Sequence, residues 1–111
     1  MNCVFCKIVN KEIPADIVYE DDNYLAFKDI NPKAPIHILI IPKKHIESFH
    51  LIDDKEDLRL VEWLINVARR IVKKLDLNGC QLHMNSGKDH WQEVMHIHLH
   101  LLSWWATPVK W

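Results

Sequence analysis

The sequence predicts an α+β domain. Three features of its 111 residues carry that prediction. Short apolar runs bounded by turn-forming clusters read as strands, and one long stretch with apolar residues at three- and four-residue steps reads as a helix. Near the C-terminal end, His96-Ile97-His98-Leu99-His100-Leu101-Leu102 alternates strictly. In an extended strand, residues two apart share a face, so three imidazoles line one side while Ile97, Leu99 and Leu101 pack on the other. A buried imidazole without a hydrogen-bond partner costs about 1–3 kcal/mol. A row of three on a strand of Ile and Leu therefore points to chemistry or to a metal.

The elements follow in order. Residues 16–20 and 24–29 flank Asp21-Asp22-Asn23, a turn-forming cluster, and read as an antiparallel hairpin. Residues 36–41 form an apolar strand stopped by Pro42 and carrying one histidine, His37. From Asp53-Asp54 the period becomes helical, with Leu58, Val61, Leu64, Ile65, Ala68, Ile71, Val72 and Leu75 as the apolar set. Acids at its start (Asp53, Asp54, Glu56, Asp57) and bases at its end (Arg69, Arg70, Lys73, Lys74) suit the helix dipole, and Asn78-Gly79 supplies a stop. Residues 80–85 read as a strand, residues 86–92 as a polar loop, and the histidine-rich strand closes the series. Neither a repeat nor a linker divides the chain, so residues 1–111 are expected to form one domain.

Composition narrows the function classes. With 14 Lys+Arg against 15 Asp+Glu, there is no basic footprint for nucleic acid. No apolar run is long enough for a membrane helix, and the N-terminus lacks the layout of a signal peptide, so a soluble, cytoplasmic protein is expected. Three cysteines, two of them as Cys3-x-x-Cys6, argue against a disulfide framework and toward metal or redox use.

The histidine run resembles the histidine triad (HIT) motif, His-φ-His-φ-His-φ-φ, and the likeness extends well beyond it. Cys3 to Val9, Lys11-Glu12-Ile13-Pro14-Ala15, the run from Tyr19 to Asp22, Ala26 to Pro32, and Ala34 to His45 all fall in that family's order and spacing. The chain is most similar to the Hint branch, over about residues 3–102. The resemblance implies a five-stranded antiparallel sheet with one long helix and a short N-terminal helix, and a homodimer joined through a continuous sheet. It also implies hydrolysis of purine nucleoside 5′-phosphoramidates or related phosphate esters through a nucleotidyl-histidine. A neutral imidazole is a competent nucleophile near pH 7 and, once phosphorylated, a good leaving group.

By position His98 matches the nucleophile, and His37 and His100 match the histidines that orient it, with His96 completing the triad. Asp29 matches the carboxylate that receives the ribose hydroxyls. Phe5, Ile8, Phe27 and Ile30 match the apolar wall against the base, and Asn85 and Gln92 match side chains that touch the phosphate or the leaving group. Many bacterial relatives with the CxxC bind zinc through it and two histidines, here Cys3, Cys6, His45 and His96. Two sulfurs and two nitrogens make a closed, structural set. Reduced thiols packed in an N-terminal turn are the alternative.

Two segments depart from the family pattern. Relatives usually have a glycine-rich stretch ending Gly-Gln-Ser/Thr-Val before the triad, whereas here Trp91 stands for a glycine and Glu93 for the hydroxyl residue. A bulky ring and a carboxylate beside a phosphate both oppose anion binding. After the triad, residues 103–111 form an atypical tryptophan-rich tail. Trp91, Trp104, Trp105 and Trp111, together with His90 and Glu93, therefore define a second reading, a diverged or redesigned scaffold that binds a protein partner through its rim.

Overall fold

The computed structural model describes residues 3–104. Trp105 and Trp111, two of the rim tryptophans, lie outside the described residues. The order of elements is α1 (Val4–Val9), β1 (Ile17–Glu20), β2 (Tyr24–Lys28), β3 (Ile36–Pro42), α2 (Lys55–Glu62), α3 (Leu64–Lys74), β4 (Gln81–His83) and β5 (Leu99–Ser103). The strands form one five-stranded sheet in the order β1-β2-β3-β5-β4, with every neighbouring pair antiparallel.

Alternation along the central strands sorts their side chains onto two covered faces. Tyr24 and Ala26 of β2, Ile38 and Ile40 of β3, and Leu99 and Leu101 of β5 pack against Val61, Leu64, Val67, Ala68 and Ile71 of the helices. Leu25 and Phe27, with Leu39 and Ile41, face the other way and pack under Cys3, Phe5 and Ile8 of α1. Burial on both sides explains why β2 and β3 read as continuous apolar runs.

The predicted long helix runs as two segments meeting at Trp63, which keeps helical dihedrals (φ −69°, ψ −14°). Asp54 caps it, its side chain accepting from the Asp57 N–H at 2.8 Å. The stop comes earlier than Asn78-Gly79. Asp76 already turns left-handed (φ 52°), its N–H donates to the Lys73 carbonyl at 3.2 Å and the Leu77 N–H to the Val72 carbonyl at 3.0 Å, a paired closure that satisfies the last carbonyls. Leu58, Ile65 and Leu75 of the predicted apolar set are exposed rather than core, at 41%, 56% and 37%. The helical stretch thus carries a buried stripe and a second apolar stripe facing outward.

The histidine run is also shorter as a strand than its alternation suggests, since pairing begins at Leu99. Upstream, the Ile97 N–H donates to the Ile46 carbonyl at 2.7 Å, outside the sheet ladder. The facing pattern nevertheless persists, with Ile97, Leu99 and Leu101 in the helix-side core.

Candidate active site

The imidazoles of His37, His96, His98 and His100 lie on the α1 side of the sheet. His98 is buried, and its Nδ1 lies 2.8 Å from the His96 carbonyl. A carbonyl only accepts, so Nδ1 carries the proton and the Nε2 lone pair is left for another partner. The edge of the Phe5 ring meets His98 at 5.2 Å between centroids. His98 therefore stands in one tautomer, locked by the backbone and by an aromatic wall.

The same reasoning orders its neighbours. The Lys33 N–H donates to His37 Nδ1 at 3.1 Å, so the proton of neutral His37 sits on Nε2. That Nε2–H donates to His100 Nδ1 at 3.0 Å, with Asp29 Oδ2 at 3.4 Å from the same nitrogen. In neutral His100 the remaining proton is then on Nε2, and the ring lies 5.0 Å from that of His98. Burial pushes His98 and His37 below the ordinary histidine range. His100 falls to about 4, through burial first and then through its neighbours His98, His83 and His37. All three are neutral at pH 7, the state a histidine nucleophile requires.

Donor atoms of Asp29, His37 and His100 also lie within 4.8 Å of one another, close enough for a metal. The tautomer opposes that use, because a ring whose Nδ1 accepts a backbone N–H keeps its Nε2 lone pair only as an anion. This group is a hydrogen-bond relay.

His96 serves a different centre. Its Nε2–H donates to the Pro42 carbonyl at 2.8 Å, so the free lone pair is on Nδ1. That Nδ1 lies 3.4 Å from Cys3 Sγ and 3.6 Å from Cys6 Sγ, and His45 Nδ1 is 3.4 Å from Cys6 Sγ. With zinc–sulfur near 2.3 Å and zinc–nitrogen near 2.0–2.1 Å, a tetrahedral edge between S and N is about 3.6 Å. The spacing therefore fits zinc. Burial and Cys3 push the Cys6 thiol up to about 11, so its thiolate depends on a cation at this place. The His96 side chain faces the thiols, and its carbonyl is the part that meets His98.

The remaining predicted residues divide clearly. Phe5, Ile8 and Phe27 are buried together, Phe5 and Phe27 edge to face at 5.4 Å. Ile30 does not join that wall; it is 91% exposed in the β2–β3 turn, where Asp29 Oδ1 accepts the Asn31 N–H at 2.9 Å. Asn85 Nδ2 donates to the His90 carbonyl at 3.0 Å. Gln92 is buried and spends its whole amide on the protein: Oε1 accepts from Ser48 Oγ at 2.7 Å and the Gly87 N–H at 2.8 Å, while Nε2 donates to the carbonyls of Glu47 and Val94 at 2.8 and 3.0 Å. It braces the loop, and no amide proton is left over for a phosphate. Trp91 is 80% exposed with φ 66°, a left-handed position that favours glycine. Exposed Glu93 lines a cavity of about 410 Å³ beside Cys3 and His45, and half-buried Trp104 follows β5.

His83 was not among the sequence-predicted residues. It lies opposite His100 in the β4–β5 register, and the two rings stack at 4.3 Å with 15° between planes. The signal was the alternation of His83 with Asn85 ahead of the loop.

A sheet whose His-x-His-x-His run holds a backbone-oriented imidazole with its Nε2 lone pair unspent defines a histidine-triad class of domain. Residues 10–104 match the HIT domain family, and the chain belongs to it. It is 46% identical to the protein HitA of Neisseria gonorrhoeae, over 97% of this chain and 98% of the relative. Its fold matches a histidine triad protein from Clostridium difficile with a TM-score of 0.89 and 45% identity, covering 100% of this chain and 97% of the other. A HIT family hydrolase from Legionella pneumophila matches with a TM-score of 0.86 and 45% identity, covering 99% and 97%. The chain therefore has the fold of a HIT family hydrolase.

Proposed function

We propose that this protein cleaves purine nucleoside 5′-phosphoramidates or related phosphate esters, with His98 as nucleophile. The observation that carries the reading is the 2.8 Å bond from His98 Nδ1–H to the His96 carbonyl, which leaves Nε2 with its lone pair. In the first step Nε2 attacks the α-phosphorus, the P–N bond (P–O in an ester) breaks, and the leaving group takes a proton from solvent. Water then attacks phosphorus and gives up a proton to solvent, the P–Nε2 bond breaks, and the nucleoside monophosphate departs with His98 neutral again.

The other roles follow from placement and resemblance. The relay through His37 gives His100 an Nε2–H to offer the phosphate. Asp29 receives the ribose hydroxyls through Oδ2. Phe5, Ile8 and Phe27 form the wall for the base, and exposed Ile30 is available to cover it. Asn85 contacts the phosphate side, while Gln92 acts by holding the loop. Zinc at Cys3, Cys6, His45 and His96 would be structural, tying α1 to the sheet in a reducing, cytoplasmic setting.

A homodimer is proposed on two further grounds. Gln81, Leu82 and His83 of the edge strand β4 are exposed, and an uncovered edge invites pairing with a second copy. The outward stripe of Leu58 and Ile65 is the apolar surface such a pairing would cover. The test of the function is release of a fluorescent amine from an adenosine 5′-phosphoramidate beside a His98→Ala control. Release that needs His98 supports it; none, from folded protein, overturns it.

A further inference from the structure

We propose that His83 is a positioning residue for the reaction, its ring acting as the platform that holds His100 in the plane and tautomer the relay requires. This rests on the function proposed for His98. The hydrogen bond from His37 Nε2–H at 3.0 Å anchors one edge of the His100 ring but leaves it free to tilt about that edge. The edgewise packing of His98, with 61° between planes at 5.0 Å, blocks motion on one side only. The near-parallel stack of His83 at 4.3 Å supports the face of the ring, so the three contacts together leave one orientation.

The placement is built into the fold. His83 is the direct cross-strand partner of His100, and cross-strand aromatic pairs on one face of a sheet are close enough to stack. His83 itself is exposed on the edge strand, so nothing in the packing of the core demands an aromatic residue there. Its ring stacks on His100, and because the β4 edge proposed above to pair with a second copy includes His83, the His100 signature in the variants separates positioning from a part in assembly. The neighbourhood also suits neutral imidazoles, because His83 stands among the groups that disfavour a charge on His100.

The test compares the wild-type protein with His83→Ala and His83→Phe. Long-range proton–nitrogen correlation spectra of the imidazoles report the His100 tautomer independently of turnover. His83→Ala is expected to lower kcat about tenfold with KM within about twofold, since small losses of alignment act on the reacting geometry. It is also expected to replace the single His100 tautomer by an averaged signal. His83→Phe, which keeps a flat ring without nitrogens, is expected to restore both readouts. Wild-type kcat in His83→Ala overturns the proposal, as does a loss of kcat with the His100 signature unchanged. A folded His83→Phe as impaired as His83→Ala overturns it as well, by showing that a ring nitrogen is needed instead. If the wild-type protein releases no amine, the function proposed above fails, and the His100 signature in the variants still decides the role of His83.

Discussion

His96 and His98 stand two residues apart and do opposite things. The Pro42 carbonyl takes the Nε2–H of His96 and leaves Nδ1 toward two thiols. The His96 carbonyl takes the Nδ1–H of His98 and leaves the Nε2 lone pair unspent. The first centre is closed, with four ligand atoms within 4.8 Å and cysteine and histidine on every side. The second is a relay with one lone pair unspent. An imidazole's role is thus chosen by which of its nitrogens the backbone claims.

The strongest way to break the comparison is His98→Ala. Removing the unspent lone pair should lower turnover by about a thousandfold or more, while metal content of the folded variant stays near wild type. A variant that keeps a tenth of the activity would show that the nucleophile lies elsewhere.

His96→Ala sharpens it from the other side. On the zinc site proposed above the variant lacks one of the four ligands, so metal analysis of the purified protein should show less zinc than in wild type and the variant should melt earlier. Yet the carbonyl that orients His98 belongs to the backbone and survives, so kcat of the folded variant should fall by about tenfold or less. Loss of activity as complete as in His98→Ala would mean that the two centres are one.

The pH dependence separates them more gently. Burial holds His96 near 4 and His100 near 4 in the folded chain, below the value of about 6.5 expected when unfolded. A lowered histidine pKa means that the unfolded chain binds protons first, so stability is complete above about pH 6.5 and is lost as pH falls toward 4. Fully buried His96 alone accounts for a loss on the order of 3 kcal/mol across that window in the metal-free protein. Denaturant unfolding at pH 7 and pH 5 checks the sign. The acid limb of kcat/KM should likewise fall below pH 6.5, because His98 stays neutral there.

The smallest effect belongs to the loop. Trp91→Gly removes a left-handed tryptophan (φ 66°) whose ring is mostly in solvent, and should raise stability by about 1 kcal/mol or less. A loss of stability would show that the exposed ring is packed against something, as the tryptophan-rim reading of the sequence supposes.

Much of this was legible in the residues. Alternation over residues 97–101 placed Ile97, Leu99 and Leu101 in the core and turned the histidines the other way, because period two survives a break in the hydrogen-bond ladder. The hairpin around Asp21 to Asn23 and the helical period after Asp54 were equally local, and both formed. Leu58 and Ile65 misled because periodicity marks an apolar stripe without saying what covers it. Asp76 displaced Asn78-Gly79 as the helix stop because an aspartate tolerates the left-handed turn at a modest cost.

By itself the sequence determined the α+β class, the facing of the histidine run and the family. The tertiary structure alone decided which nitrogen of each imidazole is free, that Gln92 is spent on its own loop and on Glu47 and Ser48, and that His83 lies against His100. The physical reason is reach: periodicity and turn chemistry act over a few neighbours along the chain, whereas a tautomer is set by carbonyls and N–H groups such as Pro42 and Lys33 that meet the rings only when distant strands pair.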